Sequence, residues 1–514
     1  MAVSYKTPGV YIEEKNAFPN SVVAVATAVP AFIGYTRKAE KLGKVVTNKP
    51  IRVTSLVEFE QFFGGAPDYK FSVVPKEDQD RDVFPLGATR DEYKIQWTGG
   101  LFRLYNCIRL FYQNGGGTCW IVSVGDYSGN VEKDPMMKAV GTLADEPEPT
   151  MVLCPDALTL EPGDCYSIYT TILAHCKKEQ SRIGVFDVPK LDQEAAFDPR
   201  EKINDFRNGI GTNFLDYGAA YFPWLETNVV SDREITMLNF DETLGPLITP
   251  DEPAELNAAI TRELKTVAVA DKPGKFTVFL EKDGGEEEAE VEEAGLLASE
   301  ARLRGISSVY KSLIVKEAVK KINLLPPASA MAGIYTAVDN TRGVWKAPAN
   351  VSMNSVLEPN VNINNDLNDD LNMPLNGKAL NAIRSFPGQG VIVWGARTLD
   401  GNSQDWRYIN VRRTMIFLEM SIKAAARAYV FEPNDANTWI LLQGMISNFL
   451  NNVWKAGALF GSTPGEAYDV QVGLGTTMTA NDILDGYMRV TVRVAVVRPA
   501  EFIVITFQQK MAEA

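Results

Sequence analysis

The clearest hydrophobic pattern in the chain is a set of apolar residues at steps of three and four, Val411, Met415, Leu418, Ile422, Ala425 and Tyr429. This period predicts an amphipathic helix of about six turns. The basic residues between them lie off the stripe, so we expect these side chains to face outward: Arg407, Arg412, Arg413, Lys423 and Arg427. Just before this helix, the uninterrupted β-branched run from Val391 to Trp394 predicts a strand buried on both faces.

Apolar runs and helical patterns alternate through residues 101–224. The runs predict strands at 119–124, 151–155 and 182–188, and the periodic stretches predict helices at 101–112, 166–178 and 200–208. Strands and helices that alternate at this spacing are typical of βαβ units and a largely parallel sheet. The fold class predicted for the chain is therefore α/β, with mixed α+β parts around this region.

Three polar stretches interrupt the pattern. Residues 66–95 are punctuated by proline and predict an exposed excursion. Residues 226–325 contain a strand-like run at 275–280, an acidic run at 283–288 and a helical pattern at 290–321, and we expect a small surface domain with the acidic run solvated. Residues 360–381 are rich in asparagine and aspartate, which favours a connecting loop packed by its leucines.

The C-terminal end carries several short, well-marked elements. The residues Trp439, Leu442, Ile446, Phe449, Leu450 and Val453 form the stripe of a second helix that begins near Asp435 and ends at Gly457. Residues 479–486 predict a short capped helix. Apolar and polar residues alternate from Met488 to Val497, which indicates a strand.

Both ends of the chain predict strands without a partner. At the N-terminus these are the residues Val10, Tyr11, Ile12 and Glu13, and at the C-terminus they are Phe502, Ile503, Val504, Ile505, Thr506 and Phe507. An apolar strand with an open edge is an aggregation hazard in a monomer, and an isolated extended arm is not stable. Both problems disappear if each arm adds a strand to the sheet of a neighbouring subunit. A heterologous, non-closing contact of this kind generates filaments or stacked rings.

Composition narrows the possible functions. At 514 residues the chain is long enough for roughly three domains. Its net charge of −14 argues against a nucleic-acid binder, whose affinity comes from neutralising phosphates. No apolar run reaches the ~18 residues that a membrane span needs, and the N-terminus lacks the order of a secretory signal. We expect no direct membrane insertion. We also expect the chain to assemble in the bacterial cytoplasm.

The residues offer little for catalysis or for cofactors. Gly115-Gly116-Gly117 follows a helix and precedes a strand, the reverse of a phosphate-binding loop. His175 is the sole histidine, and no GxSxG motif accompanies it. The five cysteines have no CxxC spacing, which favours reduced, buried thiols over zinc or disulfides. We therefore expect no enzyme, no metal and no cofactor.

Several longer stretches resemble one family in the same order along the chain. They are TPGVYIEE at 7–14, VPAFIGYT at 29–36, GVWKAPAN at 343–350, GQGVIVWGARTL at 388–399, WRYINVRRT at 406–414, FEPND at 431–435 and SNFLNNVW at 447–454. These stretches resemble contractile tail sheath proteins, which build the sheaths of phage tails, tailocins and extracellular injection systems. The block 226–325 fits the family pattern least.

The resemblance implies a domain plan. An N-terminal arm would occupy 1–20, the N-terminal part of the sheath core 21–100, and a subtilisin-like α/β domain 101–385 with 226–325 as an outer surface insertion. The inner sheath domain would occupy 386–500 and a C-terminal arm 501–514. The inner domain would draw on both the N-terminal and the C-terminal parts of the chain.

The resemblance also implies a function and partners. The chain would be a structural subunit that forms stacked hexameric rings or a helical sheath around an inner tube protein, with baseplate and cap proteins and paralogous sheath subunits as further partners. Relatives hold the tube through a short helix before the last strands, which here matches Asn481, Asp482, Ile483 and Asp485, with Arg489 nearby. An extracellular contractile injection system is the first interpretation, and the tail sheath of a phage virion is the alternative. The subtilisin-like fold of the family's middle domain makes a subtilisin-like hydrolase the remote alternative.

Overall fold

The structure is a computed structural model that describes residues 22–78, 80, 82–86, 90–191, 198–249, 253–269, 272, 274–282, 285–502 and 504. The strands in chain order are β1 Pro30–Gly34, β2 Glu40–Lys41, β3 Lys44–Val45, β4 Pro50–Val53, β5 Lys70–Pro75, β6 Phe84–Leu86, β7 Asp91–Gly99, β8 Cys119–Ser123, β9 Met151–Leu153, β10 Ile183–Asp187, β11 Gly218–Phe222, β12 Leu225–Thr227, β13 Val267–Ala268, β14 Lys275–Lys282, β15 Gly285–Glu292, β16 Leu324–Leu325, β17 Val356–Pro359, β18 Asn381–Phe386, β19 Gly390–Val393, β20 Tyr468–Val472 and β21 Val490–Val494.

The α-helices in chain order are α1 Leu56–Phe63, α2 Leu104–Gln113, α3 Lys133–Thr142, α4 Pro162–Glu179, α5 Pro199–Gly209, α6 Leu244–Ile248, α7 Ala254–Leu264, α8 Glu293–Ile306, α9 Val315–Ile322, α10 Ala328–Arg342, α11 Asn365–Asn372, α12 Ile409–Ala426, α13 Ala436–Lys455, α14 Pro464–Ala467 and α15 Ala480–Leu484. Among the residues with assigned structure, none of these helices combines the length and the apolar character needed to cross a bilayer.

The chain divides into two compact units, and the division falls within α12. One unit comprises Ala26–Arg413, and the other comprises Met1–Val25 with Thr414–Ala514. The larger unit is built on an eight-stranded sheet in the order β19-β18-β11-β10-β9-β1-β8-β4. The pairs from β18 to β8 are parallel, and the edge strands β19 and β4 are antiparallel. The α/β prediction with a largely parallel sheet is confirmed, whereas its subtilisin-like detail stays a prediction.

The central strands are buried along their whole length. Every residue of β1, β10 and β11 is buried, which is the pattern of a parallel sheet covered by helices on both faces. The helices α2 and α10 approach closely at Gly333, where an added Cβ would lie 2.5 Å from the carbonyl oxygen of Phe111. Only glycine fits this helix crossing without a shift of the backbone.

Two expectations about the polar stretches are wrong, and a third is confirmed for the residues that the structure describes. Residues 66–95 contribute the antiparallel sheet β5-β7-β6, with Phe71 and Ile95 buried, instead of an exposed excursion. Residues 365–372 form α11, capped by Asn364 and buried through Leu367 and Leu371, instead of a loop. In the acidic run, Glu287 and Glu288 are exposed as expected, and they lie in β15, which pairs along its length with β14.

The block 226–325 has two structurally different parts. Its first part packs on the sheet β5-β7-β6, where the Phe240 ring lies 5.9 Å from the Phe71 ring and Lys70 Nζ donates to Leu238 O at 2.8 Å. The second part carries the hairpin β14–β15, supported by α7 and α8. The helical pattern 290–321 is confirmed from Glu293 onward as α8 and α9, separated by a π-helix at Tyr310–Ile314, whereas residues 290–292 belong to β15.

The expectation that the basic residues of α12 face outward is wrong for two of them. Arg412 and Arg413 are each 4% exposed. Arg412 pairs with Asp216 and its guanidinium lies 3.6 Å from the centre of the Trp406 ring. Arg413 pairs with Asp339 at 2.6 Å. Lys423 and Arg427 are exposed as expected, and Arg407 is half-buried.

The strand before α12 also differs from its prediction. It ends at Val393 and forms the antiparallel edge of the eight-stranded sheet. Trp394 follows the strand, is 44% exposed and packs on Phe386 with the ring centres 4.8 Å apart.

Candidate functional site

The C-terminal unit is organised by α13 and the ladder β20–β21. Asp435 caps α13 by accepting a hydrogen bond from the backbone N–H of Thr438 at 3.0 Å. Leu442, Ile446 and Phe449 of its predicted stripe are buried. Gln443 donates its Nε2 to Val470 O at 2.8 Å, which fixes β20 against the helix. The second predicted helix and the strand after Met488 are thus confirmed.

The ladder β20–β21 is open at its edges. The strands pair antiparallel from Tyr468 with Val494 to Val472 with Val490. Within the described part of the chain, the sheet contains these two strands and no others, with one isolated bridge beyond them between Leu459 and Val496. Its residues are mostly half-buried, and an isolated pair of strands is a ready template for further strands.

The predicted arms fall almost wholly outside the described residues. This holds for Val10, Tyr11, Ile12 and Glu13, and for Ile503, Ile505, Thr506 and Phe507. Phe502 and Val504 are described and are 68% and 88% exposed. At the other end of the chain, Val25 groups with the C-terminal unit, and its N–H donates to Ser421 Oγ at 3.2 Å.

The predicted short helix is present as α15 and is held by a capping box. Thr479 Oγ1 accepts from the backbone N–H of Asp482 at 3.2 Å, and the Asp482 carboxylate accepts from the backbone N–H of Thr479 at 2.8 Å. The sequence signature for this box is Thr-x-x-Asp, a variant of the usual Ser/Thr-x-x-Glu pattern. Asn481 and Asp485 are exposed on the helix, whereas Ile483 is half-buried.

Asp482 and Arg489 are paired with each other. Arg489 Nε lies 3.0 Å from Asp482 Oδ1, and its guanidinium lies over the Tyr487 ring. The hydrogen bonds from Thr479 and from Arg489 lower the pKa of the Asp482 carboxyl to about 2. The two charges that the sequence proposed as alternative contacts therefore belong to one local ion pair, and Asp485 is left as the exposed acid of this helix.

Exposed apolar side chains around α15 were missed by the sequence analysis. Leu484 is 83% exposed, Tyr487 57% and Leu474 55%. The sequence did contain a signal for this exposure. The helix α15 has only five residues, and neighbouring residues such as Ile483 and Leu484 do not lie on the same face of so short a helix.

Among the described residues of the larger unit, no arrangement for hydrolysis surrounds His175. His175 lies on α4 with Nε2 3.5 Å from Arg182 Nη1. Burial and the charge of Arg182 lower the pKa of this imidazole to about 4. A triad needs a carboxylate that orients the histidine, whereas here a cation is its neighbour. All five cysteines are free and buried, as expected. The described part of the chain contains no group of three or more His, Cys, Asp or Glu residues placed to hold a metal ion.

Comparisons with known proteins agree on one class. Residues 402–510 match the model of the phage tail sheath C-terminal domain. The tail sheath proteins of Vibrio phage KVP40 and Enterobacteria phage T4 are 26% and 22% identical to this chain over 161 residues. That alignment covers 31% of this chain, and the chain spans only 23% of the length of these curated relatives.

Two solved structures match over nearly the whole chain. The sheath complex of the extracellular contractile injection system PVC, in the contracted state, is 26% identical with a TM-score of 0.59, covering 99% of both chains. The helical sheath of the anti-feeding prophage in the contracted state is also 26% identical, with a TM-score of 0.58 over 99% of this chain and 100% of that one. The chain is thus a homologue of contractile sheath proteins. Within that class, these full-length matches are sheaths of injection systems, and they extend through the block 226–325.

Proposed function

We propose that this chain is the structural subunit of a contractile sheath in a phage tail-like extracellular contractile injection system. It polymerises helically around an inner tube and contracts to drive the tube through a target envelope. The observation that carries the proposal is the full-length match to the contracted PVC sheath, with a TM-score of 0.59. The matched C-terminal domain at 402–510 supports the same conclusion.

The subunits are joined by strand exchange at β20–β21. The ladder is open, and the apolar run 502–507 has the β-prone composition of a strand that needs a partner. Strand addition supplies main-chain hydrogen bonds at the sheet edge and side-chain pockets for register. Val10–Glu13 of one neighbour and Phe502–Phe507 of another are the strands that we place on this ladder.

The surface around α15 holds the inner tube. Leu484 and Tyr487 supply apolar contact, and Asp485 supplies an exposed charge at the end of the helix. Asn481 and Ile483 lie on the same helix, and the Asp482–Arg489 pair keeps it folded. Exposed charge contacts are weak, roughly 0.2–1 kcal/mol each, which suits a sheath that must release its tube on firing.

Contraction draws on energy stored in assembly. Subunits first assemble in a metastable extended lattice, and a trigger at the baseplate lets each layer pass to a lower-energy packing. A gain of about 1–3 kcal/mol per subunit, the scale of typical coupling energies, suffices when it is multiplied along the sheath. The chain's role is mechanical, with tube, baseplate and cap proteins as partners and no catalytic step assigned to it. The hairpin β14–β15 lies on the outside of the assembly.

Electron microscopy of the expressed chain tests the proposal. We expect hollow, striated tubes when the full chain is expressed alone or with the inner tube protein. A chain that stays monomeric at high concentration, and also in the presence of the tube protein, would contradict it. The particle that contains the sheath distinguishes an injection system from a virion, because a virion sheath is purified attached to a head that contains DNA. The curated phage relatives favour the virion alternative, but they match only 31% of the chain.

A further inference from the structure

A fully exposed aromatic ring stands on the turn between α12 and α13. The side chain of Phe431 lies entirely in solvent, and its backbone has a φ of 71°. A left-handed backbone is an outlier for a bulky residue, because the Cβ atom crowds the following carbonyl oxygen. The turn is closed by a hydrogen bond from the backbone N–H of Glu432 to Tyr429 O at 3.2 Å. A ring with full exposure gains no packing energy in the isolated chain that would offset this strain.

Hydrogen bonds of Asn434 tie this turn to the surface around α15. Its Nδ2 donates to Tyr487 O at 3.1 Å, and its Oδ1 accepts from Trp439 Nε1 at 2.7 Å. Both ends of the amide are used, which fixes its orientation. Tyr487 lies three residues beyond α15, and its N–H donates to Asp482 O at 2.7 Å. The turn after α12 and the turn after α15 are therefore held side by side.

A third segment reaches the same place. A Cβ built at Gly473 would lie 4.0 Å from the Trp439 ring, and the exposed Leu474 follows directly. Thr477 of this turn donates its hydroxyl to Arg489 O at 2.6 Å. Segments 430–441, 473–478 and 484–489 thus meet around Trp439 and Asn434. We call five exposed apolar residues of these segments the Phe431 surface: Phe431, Ile440, Leu474, Leu484 and Tyr487.

Two independent observations indicate that the Phe431 surface contacts another molecule. Single exposed apolar residues are common on soluble proteins, whereas a group of them gathered from three segments needs a reason. The left-handed backbone at Phe431 is the second observation, because strain of this kind clusters at positions that bind or switch. Both observations concern the C-terminal unit by itself.

The charges around the Phe431 surface are mostly negative. Asp482 and Arg489 neutralise each other, and among the described residues neither Glu432 nor Asp485 forms an ion pair. A partner with basic groups fits such a rim, whereas a second copy of this chain carries a net charge of −14 itself. Residues 427–441 and 474–489 contain four carboxylates and two guanidinium groups, a net charge of −2: Glu432, Asp435, Asp482 and Asp485 against Arg427 and Arg489.

We propose that Phe431 is the main anchor of the sheath on the inner tube, and that the tube presents an apolar recess rimmed by lysine or arginine residues. This inference rests on the proposed function and deepens it, because that function places the tube at α15. The ring of Phe431 enters the recess, Leu484 and Tyr487 cover its edge, and Glu432 and Asp485 face the basic rim. Aromatic anchors in well-packed recesses carry most of the binding energy of many interfaces.

Microscopy of sheaths assembled with tubes purified from the native particle tests the anchor. The measured quantity is the fraction of sheath polymers that contain a tube. Phe431→Ala should lower this fraction at least about tenfold at every salt concentration. The reason is that truncation of an anchoring aromatic costs about tenfold or more in affinity, and the contact recurs in every subunit.

Phe460→Ala is the matched control for this substitution. Phe460 is 73% exposed and follows the other end of α13, a helix of 20 residues that is about 30 Å long. The control should keep the wild-type fraction of tube-containing polymers. Equal fractions for Phe431→Ala and Phe460→Ala would overturn the proposal.

Phe431→Gly separates the anchor from a role in folding. Glycine adopts a left-handed backbone without strain, so this variant should melt no lower than the wild type. It should lose tubes as Phe431→Ala does. A clearly lower melting temperature would show that the ring supports the fold, and the proposal would be wrong.

Glu432→Lys tests the basic rim of the tube. The substitution reverses one charge, so the fraction of tube-containing polymers should fall several-fold at low salt and recover as salt screens the contact. A fraction that is unchanged or raised at low salt would contradict a basic rim. The effect of Phe431→Ala, by contrast, should persist at high salt because it removes apolar contact.

Sheaths without tubes distinguish this inference from the proposed function. Empty sheath polymers should form with each of these variants. If Phe431→Ala abolishes empty polymers as well, the ring contacts a second copy of the chain and the inference is wrong. If the unmodified chain forms no sheath at all, the proposed function fails and the inference fails with it.

Discussion

At the scale of single residues, Arg413 and Asp339 form a buried ion pair in the larger unit. Their side chains are 4% and 2% exposed. Arg413 also donates to the carbonyl oxygen of Thr27 at 3.0 Å, and its guanidinium lies 4.5 Å from the centre of the Tyr335 ring. The pair thus ties α10 and α12 to the strand entry before β1, and each charge depends on the other for compensation.

Asp339→Asn should strongly destabilise this unit. The substitution leaves the Arg413 charge buried without its counter-ion, which costs on the order of 3–5 kcal/mol. Chemical denaturation followed by tryptophan fluorescence measures the loss. Lys423→Gln, an exposed change on the same helix, is the control and should stay within about 0.5 kcal/mol of the wild type. Equal midpoints for Asp339→Asn and the control would show that the pair contributes nothing.

Asp187 predicts a pH dependence of stability. Its Oδ1 accepts from the backbone N–H of Ala328 at 2.7 Å, and burial raises the pKa of this carboxyl from 3.8 to about 8. Between these values the folded chain keeps a proton that the unfolded chain has lost. Stability therefore falls as pH rises from about 4 to about 8 and levels off above that, by at most about 1.4 kcal/mol per pH unit.

Asp187→Asn should abolish this dependence, because asparagine keeps the acceptor and has no charge to bury. Denaturation midpoints between about pH 6.5 and pH 9 isolate the effect. His175 acts in the opposite direction and only below that window, since its pKa is lowered from 6.5 to about 4 and its contribution is lost as pH falls. Parallel midpoint curves for Asp187→Asn and the wild type above pH 6.5 would contradict the assignment.

At the scale of elements, the two acidic residues of α15 have different roles, one at the surface and one in the folding of the helix. Asp485 is exposed at the helix end, whereas Asp482 serves both the capping box and Arg489. Asp485→Lys should change tube retention and its salt sensitivity while sheath-only polymers still form. The measurement is the fraction of particles that contain a tube, counted by microscopy across a salt series. If the variant keeps the wild-type fraction of tube-containing particles at every salt concentration, the attachment site lies elsewhere.

Two further substitutions show which property of α15 matters. Leu484→Asp keeps the cap and removes the exposed apolar contact, so tube occupancy should fall even at high salt. Thr479→Ala removes the N-cap, which typically costs about 0.5–2 kcal/mol of helix stability, and serves as the control for loss of the helix itself. If Thr479→Ala and Leu484→Asp behave identically, the helix fold and not its exposed leucine determines the effect.

The elements that the sequence predicted correctly are those whose hydrophobic pattern continues over many residues. The parallel sheet, α12 and α13 carry continuous apolar runs or stripes, and these patterns determine which face is buried. The helix α11 was missed because its asparagines and aspartates favour loops, although Leu367 and Leu371 are spaced for one helix face. Arg412 was misjudged because its partner Asp216 is 196 residues away, and a distant counter-ion leaves no trace in a local pattern.

The candidate site was predictable to a similar extent. The position of α15 and the ladder strand after Met488 followed from a capping motif and an alternating pattern. The Asp482–Arg489 pair did not, because two opposite charges seven residues apart meet only when a turn folds between them. Likewise, exposure of Leu484 depends on the short length of the helix, which a sequence pattern defines poorly.

At the scale of the whole molecule, the proposed function depends on contacts that the two ends of the chain make with neighbouring subunits. Removal of residues 501–514 should leave a folded chain that no longer polymerises. The reason is that the open ladder β20–β21 would lose the strand that a neighbour donates, while its own packing on α13 through Gln443 is untouched. Circular dichroism and thermal melting should match the full chain, and microscopy should show no tubes.

A deletion of similar size elsewhere provides the control for this truncation. Replacing the hairpin Lys275–Glu292 by a short Gly-Ser linker removes β14 and β15 and spares the residues around Phe240 that pack on β5. Because the hairpin is placed on the outside of the assembly, this variant should still form striated tubes. Tubes from the C-terminal truncation would disprove strand exchange by that arm. Loss of tubes in a soluble hairpin variant would instead assign β14–β15 to a contact between subunits.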